Sequence, residues 1–286
     1  MTDWTLLAID RLLGASVAAA LVVALATRGR GGRFRPLLGW AGFWALFAGL
    51  LAGMVKLPPA VSLVLLGVVM YAGLRTWFFV TPLRPQDRFA ILGAYLSIPV
   101  ALWPGYVGAH GAALAAVPIL LFLTFPVLLG TGAAEEGTLD ALGRLLLGVL
   151  VFVFCAAHLG LLVRREQLEL FGVLALAADL PQRLAGRFEP GATRARPASG
   201  IAIGALLAAG LGWWAGPWCG VAAGLAASAG VLVAAGVAMG AVVIRAVLRD
   251  LGLSTQTLHG RGAFLDRVVP LIYAAPFFYY SLVEFT

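Results

Sequence analysis

Long apolar runs separated by short polar stretches dominate the pattern along this chain. Cutting the runs at charges, prolines and glycines predicts helices near residues 5–27, 37–55, 59–79, 88–104, 111–130, 139–163, 166–180, 199–216, 218–245 and 266–283. Most of them reach the roughly 17–25 residues that a helix needs to cross the hydrocarbon of a bilayer. The run at 166–180 is short and carries Glu166 and Glu169, and we leave open that two neighbouring runs form one re-entrant unit. The pattern therefore predicts an all-α, polytopic integral membrane protein with about 9–10 transmembrane helices.

The composition indicates that lipid surrounds much of the protein surface. Of the 286 residues, 62% are hydrophobic and only 12% are charged, whereas a soluble domain has about 25% charged residues. The 36 glycines fit this interpretation, because small residues let membrane helices approach closely. Cys155 and Cys219 lie in apolar runs, and no Cys-x-x-Cys or Cys/His ligand spacing exists. The sequence therefore indicates neither a zinc site nor a disulfide framework.

The basic residues are distributed unevenly between the two sides of a ten-helix topology. The net charge is +7, and sixteen of the twenty basic residues fall on one side. These are Arg28, Arg30, Arg33, Arg35, Arg75, Arg84, Arg88, Arg144, Arg183, Arg187, Arg194, Arg196, Arg245, Arg249, Arg261 and Arg267. The positive-inside rule predicts that this side is cytoplasmic and that both termini face outward. Because the arginines lie in short loops between apolar runs, we expect membrane lipid and phosphate groups as partners, and no nucleic acid.

Candidate chemical groups are concentrated in the C-terminal half. The longest polar stretches, 179–199 and 249–266, both fall on the predicted cytoplasmic side. We therefore divide the chain into an N-terminal transmembrane scaffold, 1–130, and a C-terminal transmembrane region, 131–286. The site is predicted at the cytoplasmic ends of the C-terminal helices. We expect a multi-pass protein of the cell inner (cytoplasmic) membrane, in a bacterium by association with the alanine-, glycine- and arginine-rich composition.

Asp179 ends a predicted apolar helix. A charged side chain costs roughly 2.5–3.5 kcal/mol at the bilayer centre on insertion scales, and less near a helix end. Asp179 therefore needs a partner. Two remain open from the sequence: Arg183, one helical turn further on, or a metal ion.

Asp250 and Asp266 each neighbour an arginine where a predicted helix meets the cytoplasm. Mg²⁺ is typically held by one or two carboxylates together with substrate phosphates, and arginine forks match phosphate oxygens. Carboxylates and arginines together at a membrane face are what metal-assisted nucleotidyl or phosphoryl transfer requires. Flanking charges that only fix topology give the same pattern, so the spacing alone leaves both interpretations open.

These stretches resemble the motifs of one enzyme family. The stretch from Arg249-Asp250 to Asp266-Arg267 is similar to the signature of phosphatidate cytidylyltransferases, also called CDP-diacylglycerol synthases. That signature runs Lys-Asp, a short spacer, then Gly-His-Gly-Gly-x-x-Asp-Arg-x-Asp. The upstream stretch resembles a second motif, Ala-Asp-x-x-Ala-Tyr-x-x-Gly-Arg followed by Ser-Pro-x-Lys-Thr-x-Glu-Gly. The matches there are Ala178, Asp179, Gly186, Arg187 and, closing the second part, Gly200. The resemblance covers about residues 170–286.

The resemblance implies a reaction in which a lipid phosphate attacks the α-phosphorus of CTP. Pyrophosphate leaves, and phosphatidate becomes CDP-diacylglycerol in phospholipid biosynthesis. The catalytic residues that it implies are Asp179, Asp250, Asp266 and Arg267, and the three aspartates are also the implied ligands of Mg²⁺, alone or with a second cation. The implied substrate-binding residues are Arg187, Arg196, Arg249, Arg261, Gly186, Gly200, Gly260 and Gly262.

Several positions depart from the family motifs, which makes the chain a divergent member of the family that it resembles. Val269 stands where the signature has its last aspartate, so one carboxylate of a cation site is missing. The other departures are Arg196 and Arg249 for lysines, Thr193 for serine, Pro197 for threonine, Ser199 for glutamate, Arg261 for histidine and Ala263 for glycine.

Two alternatives to the cytidylyltransferase remain. One is a CTP-dependent lipid kinase of the polyprenol or phytol type, which would release CDP instead of pyrophosphate. The other is a catalytically inactive membrane homologue that binds a lipid phosphate or a partner, motivated by Val269, Pro197 and Ser199. The sequence leaves the lipid substrate open, phosphatidate or another lipid phosphate, and also leaves open whether the chain forms a homodimer.

Overall fold

The structure, a computed structural model, describes residues 11–15, 17–18, 21–22, 25, 35–130, 137–163, 167–188, 198–252 and 261–283. Within these ranges every regular element is a helix, and none of them contains a strand. The predicted all-α class is confirmed for this part of the chain.

The helices agree with the predicted runs to within a few residues at most ends. In chain order they are α1 (Arg35–Lys56), α2 (Pro59–Val80), a 3₁₀ turn (Pro85–Asp87), α3 (Arg88–Val107), α4 (His110–Ile119), a π-helical turn (Leu120–Thr124), α5 (Phe125–Gly130), α6 (Thr138–Val149), a second π-helical turn (Leu150–Cys155), α7 (Ala156–Leu161), α8 (Gln167–Phe188), α9 (Ala198–Ala215), a 3₁₀ turn (Gly216–Cys219), α10 (Ala223–Asp250) and α11 (Arg261–Val283). The largest difference is at α8, which extends past the predicted end at 180. Helix α11 begins five residues before the predicted start at 266, and α10 begins and ends five residues later than the predicted run 218–245.

Six helical segments in the described ranges are long and apolar enough to cross a bilayer, as in a polytopic membrane protein. They are Gly39–Lys56, Pro59–Val80, Pro85–Val107, Thr138–Leu161, Ala198–Cys219 and Ala223–Asp250. A shorter apolar helix spans Ala115–Gly130. The finer prediction of about 9–10 spans, and the choice of membrane and organism, stay predictions.

Two ends of the bundle can be identified from contacts between the helices. At the turn from α1 to α2, the Ser62 hydroxyl donates to the Met54 carbonyl at 2.8 Å. At the other end of α2, the Trp77 indole donates to the Arg144 carbonyl of α6 at 2.9 Å, and Arg144 donates to the Pro82 carbonyl at 3.1 Å. We call this second end, where α1 begins and α8 and α10 end, the basic end of the bundle.

Helix α8 lies in the centre of the bundle. Leu168, Phe171 and Leu174 are fully buried, and α8 packs against α1, α9, α10 and α11. Its polar residues are enclosed by protein as well: Asp179 is 1% exposed and Gln182 is completely buried. Since a charge facing hydrocarbon is costly, these side chains explain why α8 is surrounded by other helices.

The prediction ended α8 before Pro181, because proline removes a backbone donor and crowds the preceding turn. The structure continues the helix through Pro181 to Phe188. Immediately after the proline, the Gln182 amide donates to the Ala234 carbonyl of α10 at 3.1 Å. Packing and this buried hydrogen bond therefore override the local signal, and α8 carries Asp179 and Arg183 on one continuous helix.

Close helix packing through glycine joins α8, α9, α10 and α11. A methyl group added at Gly204 of α9 would lie 2.7 Å from the Ala178 carbonyl oxygen of α8. One at Gly230 of α10 would lie 2.5 Å from the Ala208 carbonyl oxygen of α9, and one at Gly236 would lie 2.8 Å from Cα of Ala274 in α11. The expectation that small residues permit close approach holds at all three interfaces. These contacts hold the polar residues of the C-terminal helices at fixed separations.

Buried apolar residues from both predicted regions belong to one continuous core. Trp44 and Trp77 from 1–130 are part of it, as are Phe171 and Phe278 from 131–286. The division into a scaffold and a site-bearing region stays a prediction about their roles.

Candidate functional site: a carboxylate pair bridged by Arg183

Arg183 of α8 joins two aspartates that are far apart in the sequence. Its Nε donates to Asp179 Oδ2 at 2.8 Å, one helical turn earlier. Its Nη1 donates to Asp266 Oδ2 of α11 at 2.9 Å, and its Nη2 donates to the Asp266 backbone carbonyl at 2.8 Å. The side chains of Arg183 and Asp266 are 11% and 19% exposed. The two polar stretches singled out in the sequence therefore meet at the basic end of the bundle.

Of the two partners left open for Asp179, the structure shows Arg183. The four-residue spacing places both side chains on one face of α8, where such pairs are in contact. An ion pair this buried needs further hydrogen bonds to offset its desolvation, and the Asp266 oxygens supply them.

Two indoles from α1 complete the surroundings of Asp179. The Trp40 Nε1 donates to Asp179 Oδ2 at 2.7 Å, and the Trp44 Nε1 donates to the same oxygen at 3.3 Å. Both tryptophans are buried, and their four-residue spacing puts them on one face of α1. Asp179 Oδ2 thus accepts from two indoles and one guanidinium.

Two more arginines lie beside Asp266. Arg245 of α10 has its Nε 3.8 Å from Asp266 Oδ1. Arg267 follows Asp266 on α11, and its Nη2 lies 3.0 Å from the position that a Cβ of Gly39 would occupy. The absence of a side chain at Gly39 therefore leaves room for this guanidinium against α1. In the described part of the chain, three guanidinium groups surround two carboxylates, and this excess of positive charge favours an anion such as phosphate.

Asp250 and Arg249 are placed differently. They are the last two residues of α10, and both are exposed at the basic end. Among the described residues, no group of three Asp, Glu, His or Cys side chains is arranged to hold a metal ion. The predicted ligand set of Asp179, Asp250 and Asp266 stays a prediction, and these side chains do not form such a group in the described residues.

The glycines predicted to bind substrate have varied surroundings. Gly200 is buried in the first turn of α9, where an added Cβ would lie 2.8 Å from Ala185 Cβ and 2.9 Å from Gln182 Cα. Its contacts in the structure are with α8, so its visible role is packing. Gly186 is exposed near the end of α8, and Gly262 is buried in the first turn of α11. Their assignment to substrate binding stays a prediction.

Other predicted site residues lie wholly or partly outside the described residues. Arg196 and Gly260 belong to segments that the structure does not describe. Arg187 lies on α8 and Arg261 lies on α11, but the structure does not describe their side chains. Their roles stay predictions.

The contribution of α1 to this site was not predicted from the sequence. Residues 1–130 were predicted to be scaffold, whereas Trp40 and Trp44 bind Asp179 directly. The available signal was the pair of tryptophans four residues apart beside Gly39, near the predicted cytoplasmic start of an apolar helix. Arg245 was noted in the sequence, but nothing in its spacing indicated that it approaches Asp266.

Trp40→Phe is expected to destabilise the protein more than Trp44→Phe. Both substitutions remove an indole donor from a buried site, but the Trp40 bond is shorter, 2.7 Å against 3.3 Å. A hydrogen bond to a charged group contributes about 1.5–3 kcal/mol, and we expect Trp40→Phe to lose most of that amount. Thermal unfolding in detergent measures the difference, with the exposed Trp213→Phe as control. Equal stability of the Trp40→Phe and Trp213→Phe variants would contradict a role for this bond.

No protein-family model, curated protein or solved structure matches the chain. The likeness to the cytidylyltransferase motifs therefore stays a prediction from the residues. A hypothesis about function depends on that likeness and on the geometry of Arg183, Asp179 and Asp266.

Proposed function

We propose that this protein is a CTP-dependent nucleotidyltransferase of the phosphatidate cytidylyltransferase type. It would convert phosphatidate and CTP to CDP-diacylglycerol and pyrophosphate, in the inner membrane of a bacterium with its basic end toward the cytoplasm. The observation that carries the proposal is the Arg183 bridge. It brings Asp179, from one motif-like stretch, together with Asp266, 83 residues beyond Arg183 in the other.

The proposed reaction forms a bond between a phosphate oxygen of the lipid and the α-phosphorus of CTP. The bond from that phosphorus to the bridging oxygen of the β-phosphate breaks, and pyrophosphate leaves with the electron pair. The phosphate oxygens carry negative charge during this step, and fixed guanidinium groups stabilise that charge. We assign this role to Arg245, whose Nε lies 3.8 Å from Asp266 Oδ1, and to Arg267, the next residue along α11. In this proposal Asp266 orients Arg245, and the space at Gly39 of α1 admits the Arg267 guanidinium.

The predicted Mg²⁺ does not fit the Asp179–Asp266 pair as the structure shows it. The Oδ2 atoms of both carboxylates already accept hydrogen bonds from Arg183, and that of Asp179 also accepts from Trp40 and Trp44. No step of the proposed reaction is therefore routed through a cation at this pair. Mg²⁺ enters as the counter-ion that accompanies the CTP phosphates.

Purified protein in detergent, given CTP, Mg²⁺ and phosphatidate, is expected to release pyrophosphate and form CDP-diacylglycerol. Arg267→Ala is expected to reduce the rate by about 10²–10³-fold, the effect of removing a fixed group that stabilises transition-state charge. Asp140→Asn provides a matched control, because Asp140 pairs with Arg144 on an exposed surface of α6. Its activity should equal that of the unmodified protein.

The products separate the proposal from its alternatives. Release of CDP with phosphorylation of a lipid alcohol would indicate the polyprenol or phytol type of kinase. No product from phosphatidate or other lipid phosphates, with Mg²⁺ or Mn²⁺, would remove the enzymatic proposal and leave an inactive lipid-phosphate or partner-binding homologue. That outcome would agree with Val269, which is completely buried in α11 where the resembling signature has a carboxylate.

A further inference from the structure

The oxygen atoms around the Arg183 guanidinium are of the types that coordinate hard metal ions. Three oxygens accept its N–H groups: Asp179 Oδ2, Asp266 Oδ2 and the Asp266 backbone carbonyl, at 2.8, 2.9 and 2.8 Å. Carboxylate and backbone carbonyl oxygens are also the protein ligands of Ca²⁺ and Mg²⁺. Arg183 thus occupies one oxygen of each carboxylate and one backbone oxygen, and a metal ion coordinated by these three oxygens would displace the guanidinium.

The remaining donors strengthen this exclusion at Asp179. Its Oδ2 accepts from Trp40 at 2.7 Å and Trp44 at 3.3 Å in addition to Arg183. A carboxylate has about four lone-pair sites on its two oxygens, and three donors converge on this single oxygen. A cation approaching Oδ2 would meet N–H groups whose hydrogens carry positive partial charge.

The charges near Asp266 act in the same direction. The Arg245 Nε lies 3.8 Å from Asp266 Oδ1, and Arg267 is the next residue along α11. A divalent ion at this place would be repelled by these guanidinium groups. Val269, one turn after Asp266, supplies no further carboxylate. The local charge therefore suits an anionic ligand and disfavours an additional cation.

Resting on the proposed function, we propose that Arg183 is the resident cation of the Asp179–Asp266 pair and takes the place of a bridging metal ion. Arg183 is a positioning residue in this role. It donates hydrogen bonds to both carboxylates and holds α8 against α11, while Arg245 and Arg267 compensate the remaining negative charge and leave a net positive charge for the phosphate ligand. The pair then binds no divalent cation unless the guanidinium is removed.

The test is Mn²⁺ binding by the purified full chain in detergent, followed by electron paramagnetic resonance and by thermal unfolding. The unmodified protein and Asp266→Asn are expected to give the same Mn²⁺ titration. Arg183→Ala is expected to gain a Mn²⁺ site, and Mn²⁺ at roughly ten times its dissociation constant should raise its melting temperature by about 2–4 °C. The double variant Arg183→Ala/Asp266→Asn should lose both effects. Arg183→Lys, which keeps a cation, should bind no additional Mn²⁺.

A Mn²⁺ site in the unmodified protein that Asp266→Asn removes would overturn the proposal. So would an Arg183→Ala variant that folds and gains no site. If Arg183→Ala does not fold without metal, folding in the presence of Mn²⁺ supports the proposal, whereas failure in both conditions leaves the comparison of the unmodified protein with Asp266→Asn to decide it. None of these measurements needs CTP turnover, so an inactive protein would refute the proposed function without affecting this result.

Discussion

Arg183→Ala is expected to lower the free energy of unfolding by about 3–5 kcal/mol, the usual cost of removing one partner of a buried ion pair. Asp179 is 1% exposed, and without the guanidinium its carboxylate would lose a charged partner, while the indole donors Trp40 and Trp44 carry no net charge. Asp266 would lose two hydrogen bonds, one to its side chain and one to its backbone carbonyl. Chemical unfolding in detergent, monitored by tryptophan fluorescence, would measure the loss.

Three variants show whether the loss arises from the uncompensated carboxylates. Arg183→Lys keeps the charge but cannot span both aspartates with a planar fork, so an intermediate loss is expected. Asp179→Asn/Arg183→Met removes both charges of the α8 pair, leaves Asp266 with Arg245, and should recover part of the stability lost in Arg183→Ala. Arg88→Ala, at an exposed position, should change stability by less than about 0.5 kcal/mol. A loss in Arg183→Ala no larger than that in Arg88→Ala would show that the bridge does not stabilise the fold.

Gly204→Leu is expected to produce the other large effect, because α8 and α9 touch at this position. Even a single Cβ there would lie 2.7 Å from the Ala178 carbonyl oxygen and 3.3 Å from Ala178 Cα. These are backbone atoms, so a rotamer change cannot relieve the clash and the helices must separate. Overpacking of a core typically costs about 1–3 kcal/mol, and a leucine at this contact should lie at the upper end. Since Ala178 precedes Asp179, we also expect the proposed cytidylyl transfer to fall.

Gly210→Leu is the matched control for this prediction. Gly210 lies on the same helix, is exposed, and has nothing within 4 Å of an added Cβ. The substitution is the same, but the side chain would face outward, so stability and activity should remain unchanged. Similar losses in the two variants would mean that leucine perturbs α9 itself, and the importance of the α8–α9 contact would then be refuted.

The sequence predicted the helices well because lipid imposes a simple pattern. Apolar runs long enough to cross hydrocarbon leave few alternatives to helices. The boundaries failed where buried protein contacts replaced lipid or water. Pro181 should have ended α8, but the Gln182 bond to the Ala234 carbonyl and the packing around it sustain the helix. Such a contact between residues 52 positions apart leaves no local signal.

The candidate site was predictable in its composition and only partly in its contacts. The Asp179–Arg183 pair follows from a four-residue helical spacing, which is visible in the sequence. The bond from Arg183 to Asp266 depends on how α8 packs against α11, and the bonds from Trp40 and Trp44 depend on α1. A tryptophan in an apolar run has the same appearance whether its N–H faces the headgroups or a buried carboxylate. Only the three-dimensional arrangement distinguishes these cases.

The central position of α8 has a consequence for how the chain is made. The ribosome completes α1 before α8, so the indoles of Trp40 and Trp44 are available when Asp179 enters the membrane. Helix α11 is synthesised last among the described helices, and until then Arg183 lacks the Asp266 oxygens. The order of synthesis therefore allows the contacts of Asp179 with α1 to form first, and the bond from Arg183 to Asp266 can be completed only after α11 is made.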